Sequence, residues 1–195
     1  GQDSYSNEGA ISYRNGECGY KNHVDLYPDY TSVQTYIDSL NHFVDENLIQ
    51  NYKELYSQVR PKAKDNTHLL DSLMRDGIQY IEIRSVDTNP FEKGGITLED
   101  LDFIHLLMIY LLVKEEGCRP EDWQVEATYN QRLVAKQGLK STTLLRHGKE
   151  VKAVEWALDI LTEMKVMSEV LGLEREVLVE TMIQKVLEPR LTYAS

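Results

Sequence analysis

The residues best suited to chemistry fall in a short stretch, Tyr80-Ile81-Glu82-Ile83-Arg84-Ser85, where apolar and charged side chains alternate. An extended backbone turns successive side chains to opposite faces, so Tyr80, Glu82 and Arg84 share one side and Ile81 and Ile83 the other. One face can pack while the other works. An earlier stretch, 54–62, repeats the alternation, with Tyr56, Gln58, Arg60 and Lys62 on one face and Leu55, Ser57 and Val59 opposite. If the two strands pair with these faces aligned, a carboxylate and three cations line a single surface. Such a surface suits phosphoryl chemistry: carboxylate oxygen is a hard ligand for Mg²⁺, and Arg and Lys neutralise phosphate oxygens as charge develops. The plainer alternative is that a Glu and an Arg on one strand face are solvated or pair with neighbouring strands.

Other chemistries find little support. His23, His42, His68, His105 and His147 have no helical i,i+4 pairing and no close Cys or carboxylate partner in ligand spacing, which argues against zinc. There is no G-x-S-x-G elbow, no Walker loop and no G-x-G-x-x-G; Gly94-Gly95 alone is a weak phosphate signal. His105, within an apolar helix, is expected to be a hydrogen-bonded core residue. Trp123, Trp156 and the methionines are expected to fill helix interfaces.

The elements that must position the charged face follow from periodicity and punctuation. The first 30 residues, rich in Tyr, Gly, Asn and Asp, have the character of a loop over a site, with one short strand expected at 10–14. Val33, Ile37, Leu40 and Val44 recur at helical spacing behind Thr31 or Ser32 as cap. Strands are expected over 54–62 and 79–87, separated by a short helix that Gly77 stops. Thr97-Leu98-Glu99-Asp100 has the form of a capping box, opening an apolar helix that Gly117 should close and that reads as buried. From there the chain reads as wholly helical: one helix from Pro120 to about Lys136, a long one from Val151 to Gly172, and a last one over 174–187. Strands early and helices late indicate an α+β fold. No repeat, low-complexity tract or linker divides the chain, so a single partial domain is expected, 1–96 strand-bearing and 97–195 helical.

Bulk properties narrow the setting. With 195 residues and 42% hydrophobic content the chain can bury a sizeable core. A net charge of -11 argues against nonspecific binding to nucleic acid or to an anionic membrane, and any anionic substrate then needs a local basic pocket. The longest apolar run, 103–113, is far short of the roughly 20 residues that span a bilayer. Cys18 and Cys118 lie far apart, with no secretory signal before Gly1, so a reducing cytoplasm is expected. A chain that begins at Gly1 rather than Met has the start expected of a cloning scar or an excised fragment.

The run from Gly77 to Phe91, Gly-Ile-Gln-Tyr-Ile-Glu-Ile-Arg-Ser-Val-Asp-Thr-Asn-Pro-Phe, closely resembles a signature segment of bacterial glutamate-cysteine ligases. Two further segments agree in order and distance: Ser12-Tyr13-Arg14-Asn15 leading to Gly19-Tyr20, and Glu54-Leu55-Tyr56 leading to Val59-Arg60-Pro61-Lys62. The Arg14-Asn15 form is similar to the ligase domains of bifunctional bacterial enzymes that also carry a glutathione synthetase domain. The resemblance runs more weakly through the helices to Glu188-Pro189.

The resemblance implies part of a glutamine-synthetase-like antiparallel sheet followed by a helical half. It implies the first step of glutathione biosynthesis, in which ATP phosphorylates the γ-carboxylate of glutamate and the amine of cysteine attacks the acyl phosphate. The cofactor would be Mg²⁺ or Mn²⁺. By position, Glu82 would be a metal ligand, Arg84 would meet the transferred phosphoryl group as the catalytic residue, and Arg14, Tyr20 and Tyr56 would form the cysteine-side pocket. Arg60 and Lys62 are assigned to phosphate or a substrate carboxylate from their charge and strand face. In the family most metal-binding carboxylates lie upstream of the segment matched here, so the remainder of the catalytic domain is an expected partner and the chain alone is expected to be inactive. Homodimerisation stays open, as do two other readings: a related ligase joining glutamate to another amine, and a noncatalytic helical interaction module.

Overall fold

The structure, a computed structural model, describes residues 12–16, 19–115, 117 and 122–193. Two compact units emerge: a strand-bearing unit, Cys18–Val86, and a helical unit made of Gly1–Glu17 with Asp87–Ser195.

In the strand-bearing unit, α1 (Val33–Asp45) starts at the expected cap. The Ser32 hydroxyl accepts the Thr35 N–H at 3.1 Å and the Thr35 hydroxyl accepts the Ser32 N–H at 3.0 Å, so each residue satisfies a backbone donor of the other. The helix buries Tyr36, Ile37, Leu40 and Phe43 at three- and four-residue spacing against Leu55, Ala63 and, from α2 (Leu69–Asp76), Leu69 and Leu73. At Gly77 the backbone takes φ +73°, a left-handed conformation that glycine reaches without strain, and the chain leaves α2 for the second strand.

The two strands are β1 (Val59–Lys62) and β2 (Tyr80–Ile83). They pair antiparallel with Arg60 opposite Glu82 and Lys62 opposite Tyr80, so the polar faces do align. The first strand is shorter than expected. Residues 52–54 form a 3₁₀ turn, capped where the Asn51 side chain accepts the Lys53 N–H at 2.9 Å, and Leu55 is fully buried in the core, so Tyr56 lies ahead of the strand. The face expected to pack is partly open: Val59 and Ile81 are 39% and 43% exposed, whereas Arg60 on the polar face is only 6% exposed.

The helical unit comprises α3 (Leu98–Val113), α4 (Trp123–Gln137), β3 (Thr143–Arg146), β4 (Lys149–Lys152), α5 (Ala153–Leu171) and α6 (Glu176–Leu187). The Thr97 capping box forms as expected, with the Thr97 hydroxyl accepting the Asp100 N–H at 3.0 Å. Gly172 ends α5 in the left-handed conformation, its N–H and that of Leu173 returning to the last carbonyls. A second core gathers Leu106 and Tyr110 of α3, Leu161 and Met164 of α5, and Val179 and Met182 of α6.

Several expectations are corrected. The segment after Pro120 is not wholly helical: β3 and β4 form an antiparallel hairpin whose two-residue turn, His147-Gly148, has φ +55° and +72°. Positive φ at both positions matches the strand twist of a tight hairpin, and Glu126 of α4 accepts both turn N–H groups, at 2.9 and 2.8 Å. The helix expected from Val151 therefore begins at Ala153. The apolar helix α3 is not enclosed, because it packs through one stripe, Leu106 and Tyr110, while Leu98 and Leu112 are more than 80% exposed. His105 is exposed rather than a core residue, one position off that stripe. α3 also ends at Val113, short of Gly117. Of the strand expected at 10–14, residues 10 and 11 lie outside the described residues, and residues 12–14 form no strand. No helix among the described residues is long and apolar enough to cross a membrane.

Candidate active site

The β1–β2 ladder sets the centre of the candidate site. The Gln79 N–H donates to the Lys62 carbonyl at 2.9 Å and the Arg84 N–H to the Gln58 carbonyl at 2.7 Å, so pairing continues one residue beyond each end of β2. Glu82 is thereby fixed opposite Arg60. Lys62 Nζ reaches Glu82 Oε2 at 3.2 Å. That oxygen is shut off from solvent yet takes no hydrogen bond, so the lysine satisfies its charge without filling its lone pairs. A shielded carboxylate oxygen with unused acceptor capacity is chemically fit to be one ligand of a hard cation. Among the described residues no group of three or more His, Cys, Asp or Glu is placed to hold a metal, so Glu82 and its described neighbours do not form such a group.

Beside it, Arg84 and the tyrosines form a second cluster. The Arg84 guanidinium carbon lies 4.8 Å from the Tyr56 ring centroid, and Tyr20 meets Tyr56 edge to face with centroids 5.3 Å apart. Tyr56 is held by a residue that sequence reasoning missed. The Asn22 side chain accepts the Tyr56 N–H at 2.7 Å and donates to the Glu54 carbonyl at 2.9 Å, clamping the segment that carries the ring. An Asn in a Tyr-rich loop is a weak signal on its own, and only the fold brings it to residues 54–56.

Arg60 occupies a different environment from the other cations. Its Nη1 donates to the Lys53 carbonyl at 3.3 Å and its Nε is buried without a hydrogen-bond partner. It lies near Tyr30 and Tyr36, whose rings stack at 5.5 Å. Burial pushes the Tyr36 hydroxyl up to about 12, the neighbouring Tyr30 adds to the rise, and the Arg60 charge pulls it back. The two tyrosines also line a cleft of about 280 Å³ with Pro61, Leu73 and Ile78.

Thus Tyr20, Tyr56, Arg60, Lys62, Glu82 and Arg84 all belong to the strand-bearing unit. Arg14 belongs to the helical unit, where its side chain is exposed and its N–H donates to Asp87 Oδ1 at 2.7 Å. A buried Arg, a Lys–Glu pair and an Arg on an aromatic ring form a basic surface within an acidic protein, suited to anionic groups.

Known proteins resemble this chain in sequence and in fold. The sequence model of the family described as glutamate-cysteine ligase matches residues 41–134. The glutathione biosynthesis bifunctional protein GshAB of Listeria monocytogenes serotype 4b is 33% identical over 95% of this chain and 25% of its own length. Among solved structures, a glutamate–cysteine ligase from Francisella tularensis in complex with AMP superposes with a TM-score of 0.87 over 96% of this chain and 43% of that one, at 24% identity. A bifunctional glutathione synthetase from Pasteurella multocida gives a TM-score of 0.76 at 30% identity, over 96% of this chain and 24% of that one. The chain therefore spans about a quarter of the length of the bifunctional relatives. In sequence over residues 41–134 and in fold over nearly its whole length, the chain is similar to members of the glutamate-cysteine ligase family.

Proposed function

We propose that this chain is the carboxyl-terminal part of one glutamate–cysteine ligase catalytic domain, working in the cytoplasm, and that the complete domain joins the γ-carboxylate of glutamate to the amine of cysteine at the expense of ATP. The observation that carries this reading is the polar sheet face: Glu82 with a shielded, unbonded oxygen, Lys62 3.2 Å from it, and Arg84 seated on Tyr56.

A divalent cation, Mg²⁺ or Mn²⁺, would be held in part by Glu82 and would neutralise the phosphate oxygens of ATP. Arg84 meets the transferred phosphoryl group and stabilises the charge spread over its oxygens as the γ-carboxylate oxygen forms its bond to phosphorus and ADP leaves. Lys62, 3.2 Å from Glu82, would hold a phosphate or substrate carboxylate. Arg60, being buried, contributes through its charge rather than by touching substrate. In the second step the cysteine amine forms the C–N bond at the acyl carbon, phosphate departs with the carboxyl oxygen and the proton lost by the amine passes to phosphate or solvent, while Tyr20, Tyr56 and Arg14 hold cysteine. The remaining metal ligands and part of the nucleotide pocket come from the rest of the catalytic domain.

Arg84→Ala in the intact enzyme tests the reading. Formation of γ-glutamylcysteine should fall by at least about 100-fold, as for loss of one transition-state donor. Unchanged turnover would remove Arg84 from the mechanism. An ADP-release panel of alternative amines tests the cysteine assignment, and a flat response across amines would shift it to another acceptor.

A further inference from the structure

The segment that carries Arg14 is tied down by a chain of hydrogen bonds within the helical unit. Asp87 accepts the Ser12 hydroxyl on one carboxylate oxygen and the Arg14 N–H, at 2.7 Å, on the other. Ser12 Oγ in turn accepts both the Asn15 N–H, at 3.1 Å, and the Asn15 side-chain amide, at 2.7 Å. Gln131 of α4 donates to Asn15 Oδ1 at 2.9 Å. The Ser12 hydroxyl is then saturated, with its single proton given to Asp87 and both acceptor sites used. Gly16 closes the turn against the Ser12 carbonyl, so tightly that an added Cβ would lie 2.9 Å from that oxygen. The Arg14 guanidinium is exposed and forms no ion pair with a described residue.

We propose that Asp87 is a positioning residue for substrate recognition: by fixing the Ser12 hydroxyl and the Arg14 N–H together, it holds the Arg14 backbone so that the guanidinium is presented ready to take the carboxylate of the amine substrate. This rests on the assignment of Arg14 to the cysteine side. Bonds to an ionised carboxylate are the stronger kind, and recognition of a carboxylate by an arginine fork depends on sub-ångström placement. Asp87 follows Arg84 by three residues, so the chain leaving β2 carries first the phosphoryl-facing cation and then the anchor of the Arg14 turn. Asparagine cannot replace it: its amide NH₂ would face the Ser12 oxygen, whose acceptor sites Asn15 has already filled.

The test is steady-state kinetics and amide exchange on the intact enzyme. Asp87→Asn and Ser12→Ala should each raise KM for cysteine by about 10- to 100-fold, the range for a hydrogen bond to a charged group, with KM for ATP and glutamate within about twofold and kcat little changed. The double variant should be no worse than Asp87→Asn alone, because both break one clasp. If Asp87→Asn does not fold, Ser12→Ala, which removes a single hydroxyl oxygen, makes the same comparison. Arg14→Ala separates the two layers: if it raises KM for cysteine while neither clasp variant does, the positioning role is overturned. If Arg14→Ala leaves that KM unchanged, the cysteine assignment is overturned and the proposal with it. The clasp itself is read independently by hydrogen exchange, which should speed at the Arg14 amide in Asp87→Asn; equal exchange in wild type and variant would overturn the clasp.

Discussion

The Arg84 guanidinium sits 4.8 Å over the Tyr56 ring, joining a residue at the end of β2 to one that lies ahead of β1. The ring face is the negative end of the aromatic quadrupole, so it fixes the guanidinium without neutralising it. The full positive charge of Arg84 stays available for an anionic group. In the intact ligase Tyr56→Phe should retain kcat within about threefold, whereas Tyr56→Leu should lower it by about 3- to 30-fold, matching a cation–π contact of about 0.5–2 kcal/mol. Equal kcat for the Leu and Phe variants would show that the ring does not hold Arg84.

Glu82→Gln preserves shape while removing the charge that a hard cation requires. The Mg²⁺ concentration for half-maximal ADP release should rise by at least about tenfold, a change of about 1.4 kcal/mol in apparent affinity. A Mg²⁺ titration identical to wild type would exclude Glu82 as a ligand.

The isolated 195-residue chain should release no ADP above the enzyme-free rate, since its described residues offer no group of three or more metal-binding side chains. Measurable γ-glutamylcysteine formation by this chain alone would contradict that dependence on further ligands.

Leu40 of α1 is 1% exposed at the centre of the strand-bearing core. Leu40→Ala should lower unfolding free energy by about 2–5 kcal/mol, through lost transfer energy and the cavity left behind. Urea denaturation followed by far-ultraviolet circular dichroism measures it, and a loss below about 1 kcal/mol would mean that the site collapses around the smaller side chain.

Tyr36 gives an alkaline signature. Its hydroxyl is pushed up to about 12 in the folded chain, chiefly by burial, against an ordinary value of 10.0. Above pH 10 the unfolded chain gives up this proton while the folded chain keeps it, so stability falls as pH rises. The contribution, about 3 kcal/mol, is fully present below pH 10 and lost as pH climbs through about 12. Tyr36→Phe should flatten that part of the curve, as read from urea midpoints between pH 9 and 12, and an unchanged slope would assign the alkaline loss to other groups.

The legible features of this chain were local. The Ser32 and Thr97 caps, the Gly77 and Gly172 stops, the alternation over 80–84 and the helical spacing along α1 all depend on residues within a turn or a strand of one another, and the structure reproduces them. The hairpin of β3 and β4 was missed because its turn is His147-Gly148 rather than Asn-Gly, and because Glu126, which holds the turn, lies more than twenty residues upstream. His105 was misplaced because an apolar helix reads as buried on every side until the packed stripe is known.

By itself the sequence determined the family signature, the α+β character, and which faces of two strands carry Glu82, Arg84, Arg60 and Lys62, since side-chain alternation follows from backbone geometry alone. Tertiary structure decided the rest. It set the register that faces Arg60 with Glu82, buried Arg60 beside Tyr36 while leaving Arg14 exposed, and seated Arg84 on a Tyr56 that lies outside the observed strand. It also brought Asn22 and Asp87 to the backbones they clamp. Hydrogen bonds and ring contacts between residues 28 to 75 positions apart depend on how the chain closes on itself, and no local pattern encodes that distance.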